Sequence, residues 1–368
     1  MKILYYFTER DTYMYQWQRI HIFDELKRCG HEIEVFNPLS YESIKHANDD
    51  LIRYIKKKNI FFDLFMTCVG KDFLYKDTIH RIKSFGYPTL LICFDNLHAP
   101  YKHRGIADAF DLVWLTSKET INMFKSWNCN NIIFQSYAAN PFNFKPYWGK
   151  SDASVSFVGT PYGSRINKLN ILTKNNIYCE LYSDIVENHE NKITKKNKIQ
   201  FKKLIEDTFK ALSFSIGRKV LLGALKNLHI TKGSLALDKN KFLNILPSVS
   251  FLEMQKIYSN KILSLNITEL RNTYLLNNPI HKMHLRTFEI PMCGGLEIAS
   301  YTKELSGYFE EDKEIVFYRS EEELISKAKF YLNPKNEKLV LNMKKNARKR
   351  AELEHTWMNR FNRVFDKI

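Results

Sequence analysis

The chain has 368 residues, 44% of them hydrophobic and 14% aromatic, and a formal net charge of +16. That length holds two domains of ordinary size, and the composition is that of a globular chain, which excludes a disordered one. No apolar run approaches the roughly 18–20 residues that span a bilayer, and the six cysteines are scattered with no CxxC pair, which argues against a disulfide framework or a zinc site.

Lys2-Ile-Leu-Tyr-Tyr-Phe7 reads as a first strand. Charged Glu9, Arg10 and Asp11 follow too closely for a signal peptide, so a cytoplasmic location is expected. From Tyr15 to Cys29, Trp17, Ile20, Phe23 and Leu26 recur at helical spacing, and Gly30 ends the run. His31 to Phe36 alternates with period two and forms the next strand. A helix over Asp49–Lys58, a buried strand over Phe61–Val69 and a helix over Lys71–Phe85 follow. Thr89–Phe94 and Asp111–Leu115 are short apolar strands; Lys118–Trp127 is helical and Asn131–Gln135 is a last strand. Strands alternating with helices predict a mostly parallel sheet covered on both faces.

Asn140-Pro-Phe-Asn-Phe-Lys-Pro146 has linker character. Beyond it, Ser154–Val158 and Tyr178–Tyr182 read as strands, and a basic, helix-rich section runs from Lys192 to Leu228. Phe251–Tyr258 is helical, Ile262–Ile267, Leu296–Ala299 and Glu314–Tyr318 are strands, and Glu321–Leu332 and Glu337–Glu354 are helices. Between Lys192 and Lys241 stand 13 Lys/Arg against 3 Asp/Glu. Such an excess suits peripheral contact with an anionic membrane at its inner face, or simply a solvated surface. Nucleic acid is not expected, because no aromatic-basic recognition motif accompanies the charge.

The most informative stretch is Arg286-Thr-Phe-Glu-Ile-Pro-Met-Cys-Gly-Gly295. A carboxylate at Glu289 can accept two hydrogen bonds from a ribose diol, and Gly294 and Gly295 would let backbone N–H groups approach a diphosphate. The other reading of the two glycines is a helix C-cap. Arg286 can bind diphosphate as a charge-assisted fork or form a surface salt bridge. Gly159, Tyr162 and Arg165 follow a strand, where a glycine-containing loop can cradle phosphate and Arg165 neutralise it. Asp95 ends an apolar strand in Phe94-Asp-Asn-Leu-His98 and can act as general base for an acceptor hydroxyl, with His98 sharing that role; capping the next helix is the alternative. Glu9 and Arg10, after the first strand, are candidates for acceptor contact or a solvated turn.

These residues resemble the nucleotide-sugar site of GT-B glycosyltransferases, in particular the CgeB-like (spore-maturation) group. The resemblance extends in order through Cys93-Phe-Asp-Asn96, Ala138-Ala-Asn-Pro141, Val155 to Arg165, Glu253-Met-Gln-Lys-Ile-Tyr258, His284 to Gly295, Tyr308 to Phe317 and His355-Thr-Trp-Met-Asn-Arg360; only about 185–245 lacks a counterpart. It implies an α/β GT-B fold, two Rossmann-like domains facing an interdomain cleft, with a helical basic insertion in the second. The implied domains are 1–148 on the acceptor side, 149–350 binding the donor, and a C-terminal helix, 351–368, packing back on the first. It further implies transfer of a sugar from a nucleotide-sugar donor to a surface glycan, glycolipid or protein acceptor, with no bound metal or cofactor. Related retaining enzymes carry two glutamates eight positions apart; with Glu289 as the second, the first falls at His281, a departure from that pattern. The alternative is a non-catalytic GT-B-like module that binds a glycan or anionic surface. Donor base and sugar, acceptor, linkage and stereochemistry are not legible.

Overall fold

A computed structural model describes residues 1–10, 13–57, 61–149, 151–184, 206, 208–231 and 236–368. The chain divides into two compact units, Met1–Asn143 with His355–Ile368, and Phe144–Glu354. The proline-bracketed stretch thus splits at Asn143, earlier than the 148/149 boundary the sequence suggests. Phe144 is fully buried in the second unit, where its carbonyl accepts from Arg348 Nη1 at 2.5 Å. Lys145 N donates to Gln255 Oε1 at 3.3 Å and Tyr147 N to Ser259 Oγ at 2.7 Å, so these linker residues are tied to the second unit's own helices.

Among its described residues the first unit is built on a six-stranded parallel sheet in the order β2-β1-β3-β4-β5-β6. Its strands are β1 (Lys2–Tyr6), β2 (Glu32–Phe36), β3 (Leu64–Thr67), β4 (Thr89–Cys93), β5 (Leu112–Leu115) and β6 (Ile132–Phe134). Helices α1 (Tyr13–Gln18), α2 (Asp24–Arg28), α3 (Ile44–Lys57), α4 (Lys76–Ser84) and α5 (Ile121–Ser126) connect them. β3, β4 and β5 are buried along their whole length, as a sheet covered on both faces requires. The one long helix expected over Tyr15–Cys29 is instead interrupted by a π-helical turn, Arg19–Phe23. The wider turn leaves the Ile20 carbonyl to accept from Asn140 Nδ2 at 2.7 Å and Asn143 Nδ2 at 2.8 Å, partners that hydrophobic spacing does not reveal.

The second unit carries another six-stranded parallel sheet, ordered β12-β11-β10-β7-β8-β9. The strands are β7 (Asp152–Val158), β8 (Cys179–Tyr182), β9 (Leu243–Leu246), β10 (Lys261–Asn266), β11 (Glu297–Ser300) and β12 (Val316–Tyr318). β9 has no clear signature in the sequence because it is a half-exposed edge strand without clean alternation. Helices α6 (Ser164–Lys174), α7 (Ser215–Thr231), α8 (Phe251–Asn260), α9 (Arg286–Met292), α10 (Glu321–Leu332) and α11 (Glu337–Glu354) belong to this unit. Of the basic section expected over Lys192–Leu228, residues 192–205 and 207 lie outside the described residues; 208–212 is helical and α7 follows it. No helix among the described residues is long and apolar enough to cross a membrane.

After α11 the chain breaks at His355, and α12 (Trp357–Phe365) completes the first unit. Thr356 and Asn359 form its capping box. Glu25 accepts from the Trp357 and Met358 amides at 3.3 and 2.7 Å, adding a carboxylate to that helix N-terminus. Trp357 is fully buried, with ring centroids 6.0–6.4 Å from Trp17, Phe94, Trp114 and Tyr137.

Candidate functional site

The strand order of the second unit reverses between β7 and β10, and in open parallel sheets ligands bind beyond the carboxyl ends of the strands at such a switch point. Gly159 stands there, directly after β7, at φ +137°. An added Cβ would lie 2.6 Å from Arg286 Nη2, so the backbone conformation and the nearby guanidinium both favour glycine.

Arg286 opens α9 and reaches across to β7. Its Nη2 donates to the Val158 carbonyl at 2.6 Å, and its guanidinium lies 5.0 Å from the centroid of the Phe157 ring. Nε and Nη1 are buried without a hydrogen-bond partner within bonding distance among the described residues, although the buried Tyr258 hydroxyl lies near enough to feel the charge. Arg165, on α6 and 9% exposed, donates to Thr160 O at 2.9 Å and stacks 4.2 Å from the Tyr162 ring centroid. Burial, and then repulsion from Arg286, push its pKa down to about 10. The loop between Arg286 and β10 adds Lys282, buried, and His284. Burial and the charges of Lys282, Arg165 and Arg286 hold the His284 pKa well below the usual imidazole value, which keeps the ring neutral. Among the described residues neither Arg165 nor Arg286 forms a salt bridge. Two neighbouring guanidiniums, neither in a salt bridge among the described residues, make a site for an anion.

Glu289 follows Arg286 by one turn of α9 and is 5% exposed. Its charge acts on Tyr258 and Cys293, which places it at the same buried corner as Arg286. Gly294 and Gly295 lie at the opposite end of α9. Gly294, at φ +70°, donates to Pro291 O at 2.9 Å while Gly295 donates to Ile290 O at 2.8 Å, the bonding of a glycine C-cap. Added Cβ atoms there would collide with Pro146 and Trp148 at Gly294, and with the Tyr258 carbonyl at Gly295. The structure therefore gives these glycines capping and close packing ahead of β11, at the end of α9 away from Arg286.

Further polar side chains are bonded across β10, α9 and β11. Asn266, at the end of β10, donates to Thr287 Oγ1 at 2.9 Å and to Glu297 Oε1 at 2.7 Å, and all three are buried. His281, at the position opposite Glu289 in the eight-residue spacing, bonds Thr268 Oγ1 at 2.9 Å and pairs with Glu269 in a short antiparallel bridge. A loop-to-strand network of this kind has no spacing rule, which is why the sequence does not announce it. Glu297 also stands eight positions after Glu289. Burial pushes its carboxyl pKa up to about 8, against opposing contributions from Asn266 and Arg286. The folded state therefore holds a proton that the unfolded chain releases near its ordinary value, so stability present at low pH is lost as pH rises through about 8. Glu297→Gln is expected to flatten the fall in stability between about pH 4.5 and 8, and urea midpoints across that range would read it.

In the first unit, Asp95 and His98 are both exposed just beyond β4, and the Asp95 carbonyl accepts from His98 N at 3.0 Å and Ala99 N at 2.8 Å. The neighbouring Asn96 is fully buried, donating to Ser117 O at 2.9 Å and accepting from Thr116 N at 3.1 Å. It fixes the turn that presents Asp95. Glu9 forms a bidentate ion pair with Arg19, with Oε2 to Nη2 at 2.7 Å, which holds its carboxyl below the usual range. Its backbone is also bonded to Asn37. Arg10 is exposed. Among the described residues no group of three His, Cys, Asp or Glu side chains is placed to hold a metal ion.

Residues 218–366 match a family model described as glycosyl transferase-like. No curated protein matches the chain by sequence. Solved structures of similar fold include Anabaena HepE in complex with UDP and glucose, at 12% identity and TM-score 0.57 over 100% of both chains. A glycosyltransferase from Rickettsia africae aligns at 13% identity and TM-score 0.59, over 99% of this chain and 97% of that one. Sucrose-phosphate synthase from Thermosynechococcus elongatus aligns at 11% and 0.55, over 100% and 98%.

Proposed function

We infer the function from the fold, the α/β architecture of GT-B glycosyltransferases with a Rossmann-like sheet in each unit. From that premise we propose that it is a CgeB-like, metal-independent transferase that moves a sugar from a nucleotide-sugar donor to a surface glycan, glycolipid or protein acceptor in the cytoplasm. The observation that carries the reading is the pair of guanidiniums at the switch point of the second sheet, Arg165 buried and Arg286 with Nε and Nη1 buried, neither in a salt bridge among the described residues.

In this reading the donor diphosphate sits against Arg286 and Arg165, with Gly159 giving it room and Tyr162 holding Arg165. Glu289 accepts the hydrogen bonds of the ribose diol. As the bond between the sugar and the diphosphate oxygen breaks, the electron pair leaves on the diphosphate, and the two guanidiniums stabilise the growing charge. That is the charge a divalent cation would otherwise neutralise, so EDTA is expected to leave donor binding unchanged. The acceptor hydroxyl attacks the anomeric carbon and gives its proton to Asp95, or to His98 beside it, if the configuration inverts; if it is retained, the leaving phosphate takes that proton. Arg10 and the Glu9 turn are assigned to the acceptor. The capping geometry of Gly294 and Gly295 gives them the role of fixing α9 in place.

HepE binds UDP, so UDP is the first nucleotide to test. The ribose role of Glu289 is tested by comparing UDP with 2′-deoxy-UDP on wild type and Glu289→Ala. A hydrogen bond to a charged group contributes about 1.5–3 kcal/mol, so wild type should prefer UDP by about tenfold or more. Glu289→Ala should bind both weakly and equally. An undiminished preference in the variant would remove Glu289 from the ribose.

A further inference from the structure

We infer that the exposed face of α7 docks on an anionic lipid surface, an assignment that stands whether or not the transferase reading does. α7 packs on the chain near Asn272 through Gly223, where an added Cβ would lie 2.8 Å from the Asn272 carbonyl; Ile216 is buried on the same side. On the opposite side Leu222, Leu225 and Leu228 are 49%, 64% and 58% exposed. A surface helix normally turns such residues inward, and three on one arc form an apolar stripe with nothing over it among the described residues. Arg218, Lys219 and Lys226 are exposed along the same arc. No acidic residue occurs from Ser215 to Thr231.

An apolar stripe flanked by Arg218, Lys219 and Lys226 matches the boundary of a bilayer bearing anionic headgroups: leucines enter the acyl region and lysines remain at the phosphates. A shallow pocket of about 260 Å³ opens beside the stripe, bordered by Lys219, Leu222, Lys226 and Leu276. Its two lysines stand two helical turns apart, a placement suited to a headgroup phosphate. A second copy of the chain is disfavoured as the occupant, because pairing two such faces would bring six cations together without a counter-charge. Nucleic acid would leave the leucines unused.

The test is flotation of the full chain with vesicles of phosphatidylcholine alone, or with about one-third phosphatidylglycerol. Wild type should float with the anionic vesicles at least about tenfold more strongly than with the neutral ones, since each basic side chain near the surface adds to the attraction. The combined change Leu222→Ser, Leu225→Ser, Leu228→Ser should abolish flotation without changing the circular dichroism spectrum or thermal midpoint. Lys219→Glu with Lys226→Glu should erase the preference for anionic lipid. As a second readout, Leu225→Trp should show a blue-shifted emission on adding anionic vesicles. Wild type that does not float, a serine variant that floats as wild type does, or an unshifted tryptophan would overturn the assignment. A leucine-dependent dimer in light scattering without vesicle binding would give the face to a second copy, and leucine-independent RNA binding would give it to nucleic acid.

Discussion

Replacing Arg286 by methionine is expected to weaken UDP binding by about a hundredfold or more, because two charge-assisted hydrogen bonds of about 1.5–3 kcal/mol each are lost. Methionine keeps an unbranched stem for the space over Phe157, so packing beside β7 is largely retained. The free protein should not be destabilised in proportion. Arg286 holds buried Nε and Nη1 donors and repels Arg165, and removing it relieves both while forfeiting the bond to Val158 O. The expected signature is a thermal midpoint close to wild type without nucleotide, and loss of the upward shift that nucleotide gives wild type. Arg286→Lys should recover only part of the affinity, since a single ammonium cannot both hold the Val158 carbonyl and fork onto a diphosphate. Isothermal titration with UDP reads the affinity; unchanged affinity in Arg286→Met would remove this residue from the donor site.

Trp357→Ala should cost the first unit about 3–5 kcal/mol, the range for deleting a large aromatic from a closed core. The indole fills the space among Trp17, Phe94, Trp114 and Tyr137, and α12 is held further by the Glu25 carboxylate at its N-terminus. With so many rigid rings around it, the cavity has little capacity to collapse. Trp357→Phe should cost less than half as much, because phenylalanine retains most of the ring contacts. Urea unfolding followed by circular dichroism measures both; a loss below about 1 kcal/mol for the alanine variant would mean that α12 contributes little to this core.

Much of the architecture can be read before any coordinates. Runs such as Thr89–Cys93 and Leu112–Leu115 are apolar throughout because both faces of their sheet are covered, and the alternation of strands and helices implies parallel order. Features set by single distant contacts are less legible. The π-turn at Arg19–Phe23 depends on Asn140 and Asn143, more than a hundred positions away, and β9 is specified by its pairing with β8 and not by its own pattern.

The candidate site divides in the same way. Gly159, Arg165 and Arg286 stand out by type and position, and they meet at one strand end. Glu289 shares α9 with Arg286. Gly294 and Gly295 illustrate an ambiguity of glycine: close approach to a phosphate and a helix C-cap demand the same residue, and only the bonds to Pro291 and Ile290 identify the cap. Lys282, His284 and the Asn266–Thr287–Glu297 network come from separate loop and strand positions, so their convergence has no linear signature. Glu9 looks free in the sequence because its partner, Arg19, is ten residues on in another element.

The central claim is that the second unit binds a nucleotide-sugar, and saturation-transfer NMR with UDP-, GDP-, ADP-, TDP- and CMP-sugars on the full chain tests it most directly. The account predicts that one donor saturates the protein, that both its nucleotide and its sugar protons receive magnetisation, and that binding is lost in Arg286→Met. Folded protein that binds none of the five would contradict it and leave a GT-B fold engaged in binding of another kind.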